Sequence, residues 1–144
     1  MSFRRILLAV DDSPIAAHAA EVGVELAKAL RAELAFIYVV DPGQSMVPES
    51  GVPAANLIAL CERDARRLLA GFGERSSPES PPLEFVVVGK PAAEIVKTAK
   101  EWPADIIVIG SHGRSGVGRV VLGSVAEAVM RHAPCSVLVV RAPA

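Results

Sequence analysis

Net charge is almost absent from this chain. Fifteen Lys and Arg stand against 16 Asp and Glu, a balance of −1 at neutral pH, and the basic residues are scattered along the sequence. Nucleic acid and acidic lipid draw proteins through clustered Lys and Arg, so neither is an expected partner. Cysteine is scarce as well. Cys61 and Cys135 lie far apart with no CxxC spacing, which points to neither a disulfide framework nor a zinc site. Both are expected to serve as buried small hydrophobes. Long apolar runs are missing too: Ile6 to Val10, Ile106 to Ile109 and Val137 to Val140 fall far short of the roughly 18 residues that a membrane span needs. No membrane-spanning segment is therefore expected. Met-Ser-Phe-Arg-Arg leads straight into a strand-like run without a small-residue cleavage site, so no secretory signal is expected and the cytoplasm is the expected compartment. Internal repeats and low-complexity segments are also lacking.

What is present is apolar: 51% of the 144 residues are hydrophobic, enough for one compact core in a domain that buries roughly 68–70% of its unfolded surface. Five short β-branched runs read as strands: Arg4–Val10, Glu33–Val39, Leu83–Val88, Asp105–Ile109 and Ser136–Val140. Between them lie four helical patterns. The first places Ile15, Ala19, Val22, Leu26 and Leu30 on one face, with Ser13 and Pro14 as its expected N-cap and first-turn proline. The second places Leu57, Cys61, Ala65, Leu68 and Phe72 opposite Glu62, Arg63, Arg66 and Arg67, most simply a solvated face. The third runs from about Pro91 to Glu101 and the fourth from Ser124 to His132. Strands apolar at nearly every position suit a sheet covered on both faces. The expected fold is therefore a single α/β, Rossmann-like, doubly wound domain over residues 1–144: a five-stranded parallel sheet of order 3-2-1-4-5 with four helices. The connections Val40–Pro53 and Gly73–Pro82 are longer than the rest; the first is a possible site rim and the second a plain linker.

In such a sheet, ligands bind beyond the carboxyl ends of the strands where the strand order reverses. The loops to inspect are Asp11-Asp12-Ser13-Pro14, Val40-Asp41-Pro42-Gly43 and the stretch from Gly110 to Arg119. The last holds Gly110, Gly113, Gly116 and Gly118, whose backbone can take positive φ and come close to an anion. Gly123-Ser124 then opens a helix, whose free N–H groups and dipole favour phosphate. Two common phosphate motifs are excluded. Gly89-Lys90 is followed by Pro91 and has Glu84 where a Walker A sequence needs its first glycine. The loop after the first strand has no glycine, so the dinucleotide fingerprint is absent as well.

The order Gly110, two residues, Gly113, nine residues, Gly123 and Ser124 resembles the ATP-binding signature of the universal stress protein family. The resemblance extends over essentially the whole chain. It takes in Ile6 to Ser13, similar to the family's first strand and Asp-x-Ser turn, then Ala104 to Gly113 and Ala133 to Val140. The chain departs from the family at Asp12, where glycine is common, which adds a charge beside the site. The resemblance implies that Asp11 and Val39 contact the adenine side of ATP and that Ala9 and Ile109 line the pocket. It implies that Gly110, His112, Gly113, Gly123, Ser124 and Val125 hold ribose and phosphates, with Mg or Mn carried on the triphosphate. It also implies a homodimer formed along Ser136–Val140 and a regulatory role in stress response toward a client that the sequence does not name. Independently of it, Arg114 and Arg119 are candidate phosphate contacts, against the plainer reading of exposed loop arginines.

Plainer readings stand beside the others too. Ser124 and Glu127 have the spacing of a capping box. Asp11 could be a turn residue, and His112 a polar loop residue with no partner that would make it a general base. His18 and His132 fall on helices and read as surface residues. Asp11 and Asp12 could hold magnesium, but adjacent residues at a strand end point apart, so no protein metal ligand is expected. Three functions follow in order: a nucleotide-binding regulator without catalytic residues and with at most weak ATP hydrolysis; a slow Mg-dependent ATPase or other adenine-nucleotide enzyme using the same pocket; and a nucleotide-free interaction scaffold.

Overall fold

The computed structural model describes residues 2–45, 51–74, 76, 81–112 and 122–142. The chain alternates β1 (Arg5–Ala9), α1 (Pro14–Leu30), β2 (Glu33–Val40), a one-turn α2 (Pro42–Ser45), α3 (Ala54–Gly73), β3 (Leu83–Val88), α4 (Pro91–Glu101), β4 (Ile106–Gly110), α5 (Ser124–His132) and β5 (Ser136–Val140). All strand pairs are parallel, in the order β3-β2-β1-β4-β5. The expected sheet is thus formed, with four main helices and the additional turn α2 inside the expected loop after β2. Strand boundaries shift by a residue. Arg4, Val10 and Asp105 lie just outside the strands expected to contain them, and β2 and β4 extend to Val40 and Gly110. Among the described residues, no helix is long and apolar enough to cross a membrane.

Strand β1 sits at the centre because it is apolar on both faces. Ile6, Leu7 and Leu8 are fully buried, and their side chains divide between two cores. Ile6 and Leu8 join α1 and α3 on one face, where Phe36 meets Phe72 at 6.3 Å between ring centroids. Leu7 and Ala9 join α4 and α5 on the other, with Ile95, Ala99, Ala126 and Val129. Each fully buried Leu or Ile contributes about 1.5–3 kcal/mol. Gly23 brings α1 close to β1, since a Cβ there would stand 2.8 Å from Leu8 Cδ2. The outer strands are less covered: β3 exposes Leu83 and Val88, and β5 alternates exposed with half-buried residues. The cysteines differ from expectation, as both are half-buried. Cys135 lies just before an edge strand, and Cys61 lies on a helix that buries only Ala65 and Leu69 completely.

Candidate functional site

The order reverses at β1, which pairs with β2 on one side and β4 on the other. Beyond the carboxyl ends of these strands is a cleft, open to solvent, that encloses about 980 Å³ of non-protein space, solvent at its mouth included. Its floor follows from register: Ala9 stands abreast of Ile37 and Ile109. Alanine between two isoleucines leaves a depression on the α4/α5 face. Val39, Pro91, Ile95, Val125 and Ala126 complete an apolar wall, while Asp11, Ser13, Asp41, His112 and Ser124 bring polar groups to the same space.

The polar groups are held by local turns. Asp11 Oδ1 accepts the Ser13 N–H at 2.9 Å, and Asp41 Oδ1 accepts the Gly43 N–H at 3.0 Å. Both β1 and β2 are therefore followed, within two residues, by an aspartate that turns the chain through its own side chain. Asp11 serves as a turn residue and lines the cleft at once; Asp12 is exposed and does not line it. Ser13 departs from its expected capping role. It sits at the N-cap of α1, but its hydroxyl makes no capping bond. Its Oγ is buried without a partner among the described residues, in a residue only 8% exposed.

The glycine-rich segment is pinned at its base. The Ser111 N–H donates to the Val140 carbonyl at 2.8 Å, and the Gly123 N–H donates to the Ser111 carbonyl at 2.7 Å. Both ends of the stretch between residues 111 and 123 are thereby fixed beside β5 and α5. Ser111 Oγ lies 2.9 Å from His112 Nδ1, and His112 Nε2 is buried with no partner among the described residues. Gly113, Arg114 and Arg119 lie outside the described residues. Of the other signature glycines, neither needs positive φ. Gly123 has φ −61 and ψ 151, open to any residue. Gly110 is tight instead, since a Cβ would stand 3.1 Å from Ile15 Cγ2.

Helix α5 begins at Ser124 with Gly123 as its N-cap, so the capping box read from Ser124 and Glu127 is not formed. Ser124 is the first helical residue. The Glu127 N–H goes to the Gly123 carbonyl at 2.9 Å, and its carboxylate pairs with Arg131 one turn on at 2.8 Å. The first turn of α5, Ser124 to Ala126, lines the cleft, and the N-terminal end of a helix favours an anion. Among the described residues, no group of three or more His, Cys, Asp or Glu could hold a metal ion.

Of the expected site residues, Ala9, Asp11, Val39, Ile109, Gly110, His112, Gly123, Ser124 and Val125 all line this one cleft. Sequence reading missed Ser13 as a lining group, and with it Tyr38, Pro91 and Ile95. Ser13 was hidden by its capping position. Pro91 and Ile95 carried a usable signal, because a helix following an adjacent strand must begin at the same end of the sheet.

The model of the universal stress protein family matches residues 2–141. A universal stress protein of Methanocaldococcus jannaschii is 34% identical over 98% of this chain and 84% of its own length. The solved structure of the universal stress protein UspA from Lactobacillus plantarum superposes with a TM-score of 0.84 at 30% identity, covering 98% of this chain and 99% of that one. A universal stress protein solved in complex with cAMP superposes with a TM-score of 0.67 at 26% identity, covering 98% of each chain.

Proposed function

The chain belongs to the universal stress protein family, and from that premise we propose that it is an adenine-nucleotide-binding regulator of stress response whose ligand is ATP. One observation carries the reading: nine residues of the nucleotide signature and its flanking strands converge on a single cleft at the point where the strand order reverses. Its chemistry suits a nucleotide. The depression over Ala9, walled by Val39, Ile95 and Val125, suits a flat apolar base. Asp11 suits the adenine side, His112 suits ribose or phosphate oxygens, and the first turn of α5 suits phosphate. Buried polar atoms without partners among the described residues, Ser13 Oγ and His112 Nε2, support a polar ligand in that place. A relative bound to cAMP supports the adenine class. Magnesium or manganese would arrive on the phosphate oxygens and there offset their charge.

In this reading the regulatory unit is a homodimer joined along β5. That strand lies at the sheet edge, with Leu138 36% exposed and Met130 on the neighbouring helix 51% exposed. A short apolar edge invites pairing with a two-fold mate. Chromatography of the small molecules released on denaturing freshly purified protein, followed by calorimetry with ATP, tests the ligand. Adenine nucleotide in the first or saturable binding in the second is expected, and failure of both would overturn the reading. Sedimentation equilibrium tests the assembly: wild type should be dimeric and Leu138→Lys monomeric, whereas monomeric wild type would refute the β5 dimer.

A further inference from the structure

Ser111 is 6% exposed, and its three polar groups have three different partners. Its N–H holds the end of β5, its carbonyl holds Gly123, and its hydroxyl lies 2.9 Å from His112 Nδ1. The two backbone bonds are independent of the side chain. The hydroxyl is therefore the one part of Ser111 not needed to close the base of the glycine-rich segment. We propose that this hydroxyl makes Ser111 a positioning residue: it fixes His112 as a neutral Nε2–H donor for an oxygen acceptor of the nucleotide in the cleft.

The tautomer follows from counting donors and acceptors. A serine hydroxyl has one proton and must place it. In the buried Ser111, the only side-chain partner among the described residues is His112 Nδ1. If Nδ1 carried the proton and donated to Oγ, the hydroxyl proton would be left without a side-chain acceptor among the described residues, at a cost of about 1–3 kcal/mol. The economical arrangement has Oγ–H donating to a bare Nδ1, which puts the ring proton on Nε2. That nitrogen is buried, without a partner among the described residues, in a residue lining the cleft. An unpaired donor beside the ligand space is completed by an acceptor, and ribose and phosphate oxygens are acceptors. The identity of the acceptor rests on the nucleotide reading above; the tautomer does not.

Long-range proton–nitrogen correlation spectra of ¹⁵N-labelled protein report both ring nitrogens of each histidine, with His112 assigned by its loss in His112→Ala. At about pH 8, where ordinary histidines are neutral, wild type should show His112 with a bare Nδ1 and a protonated Nε2. Ser111→Ala should give a mixture of tautomers, and Ser111→Thr should restore the preference. A protonated Nδ1 in wild type, or an unchanged tautomer in Ser111→Ala, would overturn the proposal. ATP affinity by calorimetry supplies the second readout. Ser111→Ala should weaken binding roughly three- to tenfold, the size of one neutral hydrogen bond, but should cost nothing further in a His112→Ala background. An equal loss in both backgrounds would show that Ser111 acts through the segment rather than through the ring. If wild type binds no nucleotide, the functional reading fails by itself, while the tautomer stands or falls on the spectra.

Discussion

The two ends of the sheet are built on opposite terms. At the amino end, polar groups are paired: Asp105 Oδ2 accepts the backbone N–H groups of Arg4 and Arg5 at 2.8 and 3.0 Å, and the Asp105 N–H returns to the Arg5 carbonyl. Arg5 lies 3.4 Å from Glu33 and also stacks 5.7 Å from the Trp102 ring centroid, itself edge-on to Phe85. At the carboxyl end, Ser13 Oγ and His112 Nε2 are buried without partners among the described residues, and Ala9 leaves a gap between two isoleucines. One end spends its polar groups on holding strands together. The other keeps them in reserve, at some cost in stability, which is the expected trade at a ligand site.

Substitutions that exchange these characters should break the contrast. The largest effect is expected for Ala9→Leu, which fills the depression at the carboxyl end. Calorimetry should show ATP affinity falling roughly 5- to 150-fold, the equivalent of about 1–3 kcal/mol of overpacking. Next, Asp105→Ala leaves two backbone N–H groups without their carboxylate. Denaturant titration should register a loss of about 1–2 kcal/mol, with ATP affinity within about twofold because the site lies at the other end. A large fall in affinity there would mean that the two ends are not separable.

Ser13→Ala sharpens the comparison with a smaller effect. A working N-cap serine is worth about 0.5–2 kcal/mol, but this hydroxyl caps nothing and is unpaired. Stability should stay within about 0.5 kcal/mol of wild type or rise, while ATP binding weakens. A loss of cap size in denaturant titration would restore the capping role. The smallest effect concerns Cys135. Burial first, and then the negative charge of Asp105, push its thiol above the usual value of 9.0. Its folded-state value is therefore the higher one. Its contribution is fully present below the unfolded thiol value and is lost as pH rises through the folded one. Urea titrations across that alkaline range should show wild type losing stability that Cys135→Ala retains; parallel curves would argue against a raised thiol.

Much of this was legible in the sequence because both signals are local. Strands such as Ile6–Val10 are apolar on both faces, which forces two covering layers, and helix periodicity locates α1, α4 and α5 within a residue or two. The signature residues are readable because their order and spacing resemble those of the universal stress protein family. Other features were not readable because they depend on where a side chain points. Ser13 and Ser124 both fit capping patterns, yet the Ser13 hydroxyl makes no capping bond and Ser124 begins one position inside the helix. Asp105 was expected inside a strand, but its carboxylate clasps β1 across about a hundred residues of sequence, which no local window contains. Gly110 was read for its φ freedom, while its real constraint is Ile15 on another element.

The contrast between the two ends is tested most directly by amide hydrogen exchange of the intact protein with and without magnesium and ATP. Protection should rise at residues 9–13, 39–41, 110–112 and 123–126, leaving Arg4, Arg5 and Asp105 unchanged. Uniform slowing, or protection confined to the amino end, would contradict a nucleotide site at the carboxyl end of the sheet.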